Sequence, residues 1–84
     1  MHGYFKTMIK KAYFGEFITA EGTRNGCSFI YFNRNQAKKK MLKIARGNCL
    51  EGSTCDYTVK DDFGQVFVHG KVSKRNGKYS YSII

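Results

Sequence analysis

Apolar and polar residues alternate with period two over the last third of this chain. Cys55, Tyr57 and Val59 alternate with Thr54, Asp56, Thr58 and Lys60. Val66, Val68, Gly70 and Val72 alternate with Gln65, Phe67, His69 and Lys71. Tyr79, Tyr81 and Ile83 alternate with Lys78, Ser80 and Ser82. Such alternation puts successive side chains on opposite faces of a half-buried strand. Asp61-Asp62-Phe63-Gly64 and Lys74-Arg75-Asn76-Gly77 separate the runs and carry turn chemistry, so the three strands should form an antiparallel meander.

Upstream, residues Tyr4 to Ala20 are rich in aromatic and β-branched types and predict one long bent strand or two short ones. The segment Glu21 to Gly26 reads as a turn, with Asn25-Gly26 as its hairpin signal, and Cys27 to Phe32 as the returning strand. That strand is apolar on both faces: Cys27, Phe29 and Tyr31 on one, Ile30 and Phe32 on the other. It suits a central strand covered on both sides, or a sheet whose second face meets a partner. Asn33 to Arg46 then changes period. Ala37, Met41, Ile44 and Ala45 share one helical face, Asn33 is placed as N-cap with Gln36 three residues on, and Gly47 stands as a C-cap candidate.

The predicted order is ββαβββ. This is an α+β chain, residues 1–84 as a single domain, with one five-stranded antiparallel sheet and one helix packed across one face. The face carrying Cys55, Tyr57, Val59, Val66, Val68, Val72, Tyr79, Tyr81 and Ile83 is the expected core.

Composition adds a strong electrostatic character. The 84 residues carry 15 Lys and Arg against 6 Asp and Glu, a formal charge of +9. Solubility in a small domain is served by a net charge of about 2 to 8. A surface this basic attracts phosphate backbones, anionic membranes or acidic proteins. Hydrophobic residues at 42% are enough to offset the entropy of folding, and with no proline the nine glycines must supply most turns. Three cysteines make an odd count, unlike a secreted disulfide framework. No apolar stretch resembles a signal peptide or a membrane span, so a cytosolic chain with reduced thiols is expected. His2 and His69 lie far from Cys49 and Cys55 in sequence, and no metal site is expected.

The charge concentrates on the helix. Arg34, Lys38, Lys39, Lys40, Lys43 and Arg46 are six cations with no acid among them between Asn33 and Gly47. Lys39 and Lys43 form an i,i+4 like-charge pair that costs a few tenths of a kcal/mol, which suggests that the charge is used. Lys71, Lys74, Arg75 and Lys78 form a second group, and Lys6, Lys10 and Lys11 a third. Whether the groups merge depends on topology. Most of the aromatics are needed as core, while Phe67, alternating with the valines, is expected exposed beside His69 and Lys71. No nucleophile, base and orienting group assemble, and there is no phosphate-binding glycine loop. Asp61 and Asp62 are read as setting the geometry of a turn. The chain is therefore expected to bind rather than catalyse, and to need no cofactor.

Between Gln36 and Tyr81, Lys43-Ile44-Ala45, then Cys49-Leu50-Glu51-Gly52-Ser53, a strand, an acidic turn ending at Gly64 and a hairpin with Asn76-Gly77-Lys78-Tyr79 follow in order. This run resembles the small phage anti-CRISPR proteins that inhibit the type I-F surveillance complex. The resemblance implies an antiparallel sheet crossed by one helix, and action without catalysis. It implies docking on the backbone subunits that hold the guide RNA, in a bacterial host cytoplasm, with hybridisation to target DNA blocked. It places contacts at Lys43, Arg46 and Asn48, the last standing where the family is expected to carry a longer Gln. The expected partner-binding residues are thus Arg34, Lys38, Lys39, Lys40, Lys43, Arg46, Asn48, Lys71, Lys74 and Arg75. The partner is a CRISPR-Cas surveillance complex or, alternatively, DNA or RNA bound directly.

Overall fold

The computed structural model describes residues 9–83. It contains β1 (Lys11–Ile18), β2 (Arg24–Tyr31), α1 (Arg34–Gly47), β3 (Thr54–Lys60), β4 (Val66–Arg75) and β5 (Lys78–Ile83). The strands form one sheet in the order β2-β1-β3-β4-β5, with every neighbouring pair antiparallel. The predicted α+β order ββαβββ is the one observed. The chain leaves the edge strand β2, crosses β1 as α1 and enters β3, so the helix packs mainly on β3, β2 and β1.

One alternative of the sequence reading is decided, and two local features differ from that reading. The first strand is a single β1 beginning at Lys11, and the part of the expected strand before residue 9 lies outside the described residues. The first hairpin turns at Thr19–Thr23, not at Asn25-Gly26. Gly22 supplies the left-handed backbone at φ 90°, and Thr19 closes the loop by accepting the Thr23 N–H on its hydroxyl at 3.1 Å. Asn25 and Gly26 instead lie within β2, opposite Phe17 and Glu16. The strand β2 is an edge strand rather than a central one. Its second face stays open, with Ile30 65% exposed.

The core lies between α1 and one sheet face. Tyr13 and Phe17 of β1, Phe29 of β2, Cys55, Tyr57 and Val59 of β3, and Val68 and Val72 of β4 pack against Ala37, Met41 and Ala45. Two glycines make room for large neighbours. The Met41 thioether and the Phe29 ring occupy the space where Gly15 would carry a Cβ. The Tyr57 ring lies on Gly70, where a Cβ would stand 2.6 Å from its Oη.

Val66, Tyr81 and Ile83, expected in that core, are exposed at 45%, 44% and 68%. Geometry explains β5. Five strands at about 4.8 Å spacing span about 19 Å, while a helix is about 10–12 Å across. Centred over β1 and β3, α1 leaves Tyr81 and Ile83 on the helix-side face of β5 uncovered, while Tyr79 stays half-buried against the core. A bulge between Val59 and Lys60 explains the start of β4. It pairs Lys60 with Val66 and Val59 with Val68, which leaves Phe67 as the extra residue. Phe67 is half-buried against the Tyr13 ring, edge to face at 5.8 Å, rather than exposed beside His69.

Cys27, Cys49 and Cys55 are free thiols. Burial and the neighbouring Cys49 push the Cys55 thiol up to about 11. Cys49 donates its S–H to the Ser53 carbonyl at 3.4 Å. Both behave as small apolar core groups. Among the described residues no helix is long and apolar enough to cross a membrane.

Candidate functional site

The helix is fixed at both ends by its own side chains. Asn33 Oδ1 accepts the Gln36 N–H at 3.0 Å, and Gln36 Oε1 accepts the Phe32 N–H at 2.9 Å. This is a capping box whose return bond lands one residue earlier than usual. The C-terminus ends at Asn48, not at Gly47. The Asn48 side-chain amide donates to the Ile44 carbonyl at 2.8 Å and its backbone N–H to the same oxygen at 3.1 Å. Asn48 is thereby a cap, with part of its donor capacity already used.

With Ala37, Met41 and Ala45 facing the sheet, the 3.6-residue period turns Lys39 and Lys43 directly outward, one turn apart. Lys40 tips towards β2, near Cys27. Lys38 lies on the other flank, in a groove with Val68, His69 and Ile83. All four lysines are exposed, and none has an ion-pair partner among the described residues. The acids of the strands lie on the sheet's other face. Glu16 pairs with Arg24 at 2.9 Å on the open sheet face. Asp56 lies on that same face opposite Lys71.

The two arginines of α1 do different work from the lysines. Arg34 is tied down, 3.3 Å from Asp61 and stacked 5.0 Å over Phe67. Arg46 reaches to β5. Its guanidinium stands 5.9 Å over the Tyr79 ring and donates to Tyr81 Oη at 3.3 Å. Lys74 Nζ is also 5.3 Å from the Tyr79 centroid. Arg46, Lys74, Tyr79 and Tyr81 therefore form one cation–aromatic group on the helix side, with Arg46 and Tyr81 exposed and Lys74 and Tyr79 half-buried.

The sequence-derived candidates divide along these lines. Lys39, Lys43 and Arg46 share the outer side of α1, Lys38 and Lys40 stand on its two opposite flanks, and Lys74 joins Arg46 through Tyr79. Lys71 projects from the opposite sheet face, since it pairs with Asp56 and not with the inward row. Arg75 donates to the Ser53 carbonyl at 3.2 Å and the Lys74 carbonyl at 3.0 Å, which holds the loop before β3 against the last hairpin. Alternation alone puts Tyr79 and Tyr81 in the core. Tyr79 does pack against the core, half-buried, while Tyr81 is exposed because the helix is narrower than the sheet, which no residue pattern signals.

No family model, curated protein or solved structure matches this chain.

Asp61 organises the turn at the N-terminal end of the helix. Its carboxylate accepts the Gln65 N–H at 2.9 Å and the Phe63 N–H at 3.0 Å, and faces Arg34. These donors, the Gln65 N–H foremost, hold its carboxyl below the ordinary value. Glu51 is lowered in the same way by the Gly77 and Asn76 N–H groups of the last hairpin. A depressed carboxyl stabilises the fold when ionised. That contribution is complete above about pH 4, the unfolded carboxyl range, and is lost as pH falls through the lower folded value. Asp61→Ala is expected to lower the urea midpoint at pH 7, with the gap from the parent narrowing below about pH 4. A gap that stays constant into acid would show that the ionised carboxylate contributes nothing. Among the described residues, no three His, Cys, Asp or Glu side chains are grouped to hold a metal ion.

Proposed function

We propose that this chain is a non-enzymatic protein that binds nucleic acid by laying the outer face of α1 along a phosphate backbone. One observation carries this reading: Lys38, Lys39, Lys40 and Lys43 stand exposed on a single helix with no acidic partner among the described residues. Solvated lysines on a helix normally share the surface with acids, because opposite charges at i,i+4 stabilise it. Arg46 and Lys74, held beside Tyr79, extend the cationic surface towards β5.

Each phosphate neutralised by Lys or Arg releases condensed counterions. About three to five such contacts give a log–log salt slope of about −2 to −4 on a single strand. Fluorescence anisotropy of a labelled oligonucleotide, titrated from about 50 to 300 mM salt, measures it. Salt-independent affinity, or no binding at the lowest salt, would overturn the proposal.

A second reading keeps the same surface but seats it on a ribonucleoprotein. Lys43 and Arg46 lie near the C-terminal end of α1, where the resemblance to type I-F anti-CRISPR proteins places partner contacts. In that reading the chain blocks target DNA hybridisation in a bacterial host cytoplasm, and Asn48, engaged as a helix cap, contributes least. Co-purification with a type I-F surveillance complex under salt that releases free nucleic acid would favour it over direct binding.

A further inference from the structure

An open cleft of about 680 Å³ lies where the start of α1 faces the β3–β4 turn, away from the tyrosines of β5. Phe63, Phe32 and Tyr13 supply aromatic surface to its lining, Lys11 and Arg34 supply cations, and Asn35 and Gln65 supply amides. The volume falls within the range of small-ligand sites, about 300–1,000 Å³. Phe63 decides what fits. It sits at the tip of the turn and is 90% exposed, the most exposed of the large apolar residues described. The turn itself is rigid: Asp61 accepts the N–H groups of Phe63 and Gln65, and Gly64 adopts φ 83°. The Phe63 backbone is thus held in place by the turn while its ring stands free on the cleft lining, open to stacking.

We infer that this cleft receives an unpaired nucleobase, stacked on Phe63, with its phosphate towards Lys11; this inference rests on the nucleic-acid reading above. The chemistry of the lining selects the ligand class. A purely apolar ligand would leave Asn35 and Gln65 unpaired. A bare inorganic anion would meet the carboxylates of Asp61 and Asp62, which also line the cleft. A heteroaromatic ring can offer edge donors to the Asp62 carboxylate and to the amides, with its attached anion turned to the Lys11 side. The Asp61 carboxylate is already satisfied by two N–H groups and Arg34, so it repels the phosphate less than a free carboxylate would. The lysines of α1 begin one turn beyond the cleft, at Lys38. A strand whose base enters the cleft therefore meets them with its following phosphates. A duplex keeps its bases stacked inside and engages the helix alone. The preferred ligand is therefore single-stranded.

The test uses the full chain, Phe63→Ala and Phe63→Trp, with a single-stranded oligonucleotide carrying one 2-aminopurine, and with a duplex of the same length. Phe63 packs little, so both variants are expected to fold, as circular dichroism would show. Binding of the single strand should quench the 2-aminopurine by stacking. Phe63→Ala should abolish the quench and weaken single-strand affinity about 5- to 150-fold, the range supplied by one stacked base. Phe63→Trp should retain both, and duplex affinity should be unchanged in all three proteins. Equal loss on single strand and duplex, or a quench that survives Phe63→Ala, would overturn the inference while leaving helix binding intact. A second probe separates the two readings. Adenosine monophosphate alone, followed by chemical-shift perturbation, should move Phe63 and Gln65 and spare Lys39 and Lys43. Shifts absent from the cleft, or spread over the lysines, also overturn the inference. Oligonucleotides that bind neither in the cleft nor on α1 would overturn the proposed function as well.

Discussion

Replacing Lys39, Lys43 and Arg46 together with Glu is expected to remove nucleic-acid binding at physiological salt while leaving a folded protein. Each replacement changes the charge by two, so the formal net charge falls from +9 to +3. Three phosphate contacts are deleted and three repulsive ones created, and the loss should exceed about 100-fold at low salt, where counterion release is strongest. Lys39 and Lys43 are exposed on the outer side of α1, so their replacement tests chiefly charge. Arg46 also packs on Tyr79 and Tyr81, and Arg46→Gln serves as its control.

The single variant Lys39→Glu sharpens the test, because it moves stability and binding in opposite directions. In the parent, Lys39 and Lys43 repel at i,i+4. A glutamate placed one turn ahead of Lys43 makes the favourable orientation of an i,i+4 ion pair and stabilises the helix by about 0.2–0.5 kcal/mol. A melting temperature unchanged or slightly raised, with weakened binding, identifies lysines retained for a partner. Unimpaired binding in the triple variant would reduce the helix to a solvated cap over the sheet.

The sequence revealed the fold more fully than the site, and the two Asn-Gly pairs show why. Asn76-Gly77 turns as predicted, with φ of 54° and 74°, the paired positive values of a two-residue hairpin loop. The identical dipeptide at Asn25-Gly26 does not turn. A two-residue loop there would pair Arg24 with Cys27 and set Phe17 opposite Arg34, inside the helix. Turning at Gly22 instead pairs Tyr13 with Phe29 and Gly15 with Cys27, which places both apolar rows under α1. The core overrules the local turn signal there. At Asn76-Gly77 the register that the two-residue turn dictates pairs Lys74 with Tyr79 and Val72 with Tyr81, so the local signal and the sheet pairing agree.

The candidate site is legible in composition but not in placement. That α1 is cationic follows from its residues. That Lys71 stands on the far face follows from its alternation with Val72, once the helix side is known. That Arg34 is consumed by Asp61, 27 positions along the chain, follows only from the fold, because the ion pair joins a helix start to a distant turn. Alternation misplaces Phe67 because a bulge adds one residue to β4, and one added residue reverses which face a strand position occupies.

Truncating Met41 is expected to cost much of the stability of the fold. The residue is fully buried, and its sulfur lies 3.9 Å from Cys27 Sγ and directly above Gly15. Met41→Ala removes buried volume beneath a helix that holds the whole core closed, and is expected to cost about 2–5 kcal/mol. In a domain of this size that lowers the melting temperature by about 10–30 °C. Gly15→Ala acts oppositely, by overpacking. Its Cβ would collide with the Met41 sulfur and stand 3.0 Å from the Phe29 ring, a cost of about 1–3 kcal/mol. The two changes are not independent. In the double variant the methyl group added on β1 enters the space that the Met41 side chain vacates, so the collision with the sulfur disappears, only the tight contact with Phe29 remains, and part of the cavity is filled. The double variant should therefore be more stable than the sum of the single costs predicts, by about 0.5–3 kcal/mol. Urea denaturation of the four proteins measures this coupling. Additive costs would mean that Met41 can leave Gly15 without penalty, and that the close approach of α1 to β1 is not what fixes the helix on the sheet.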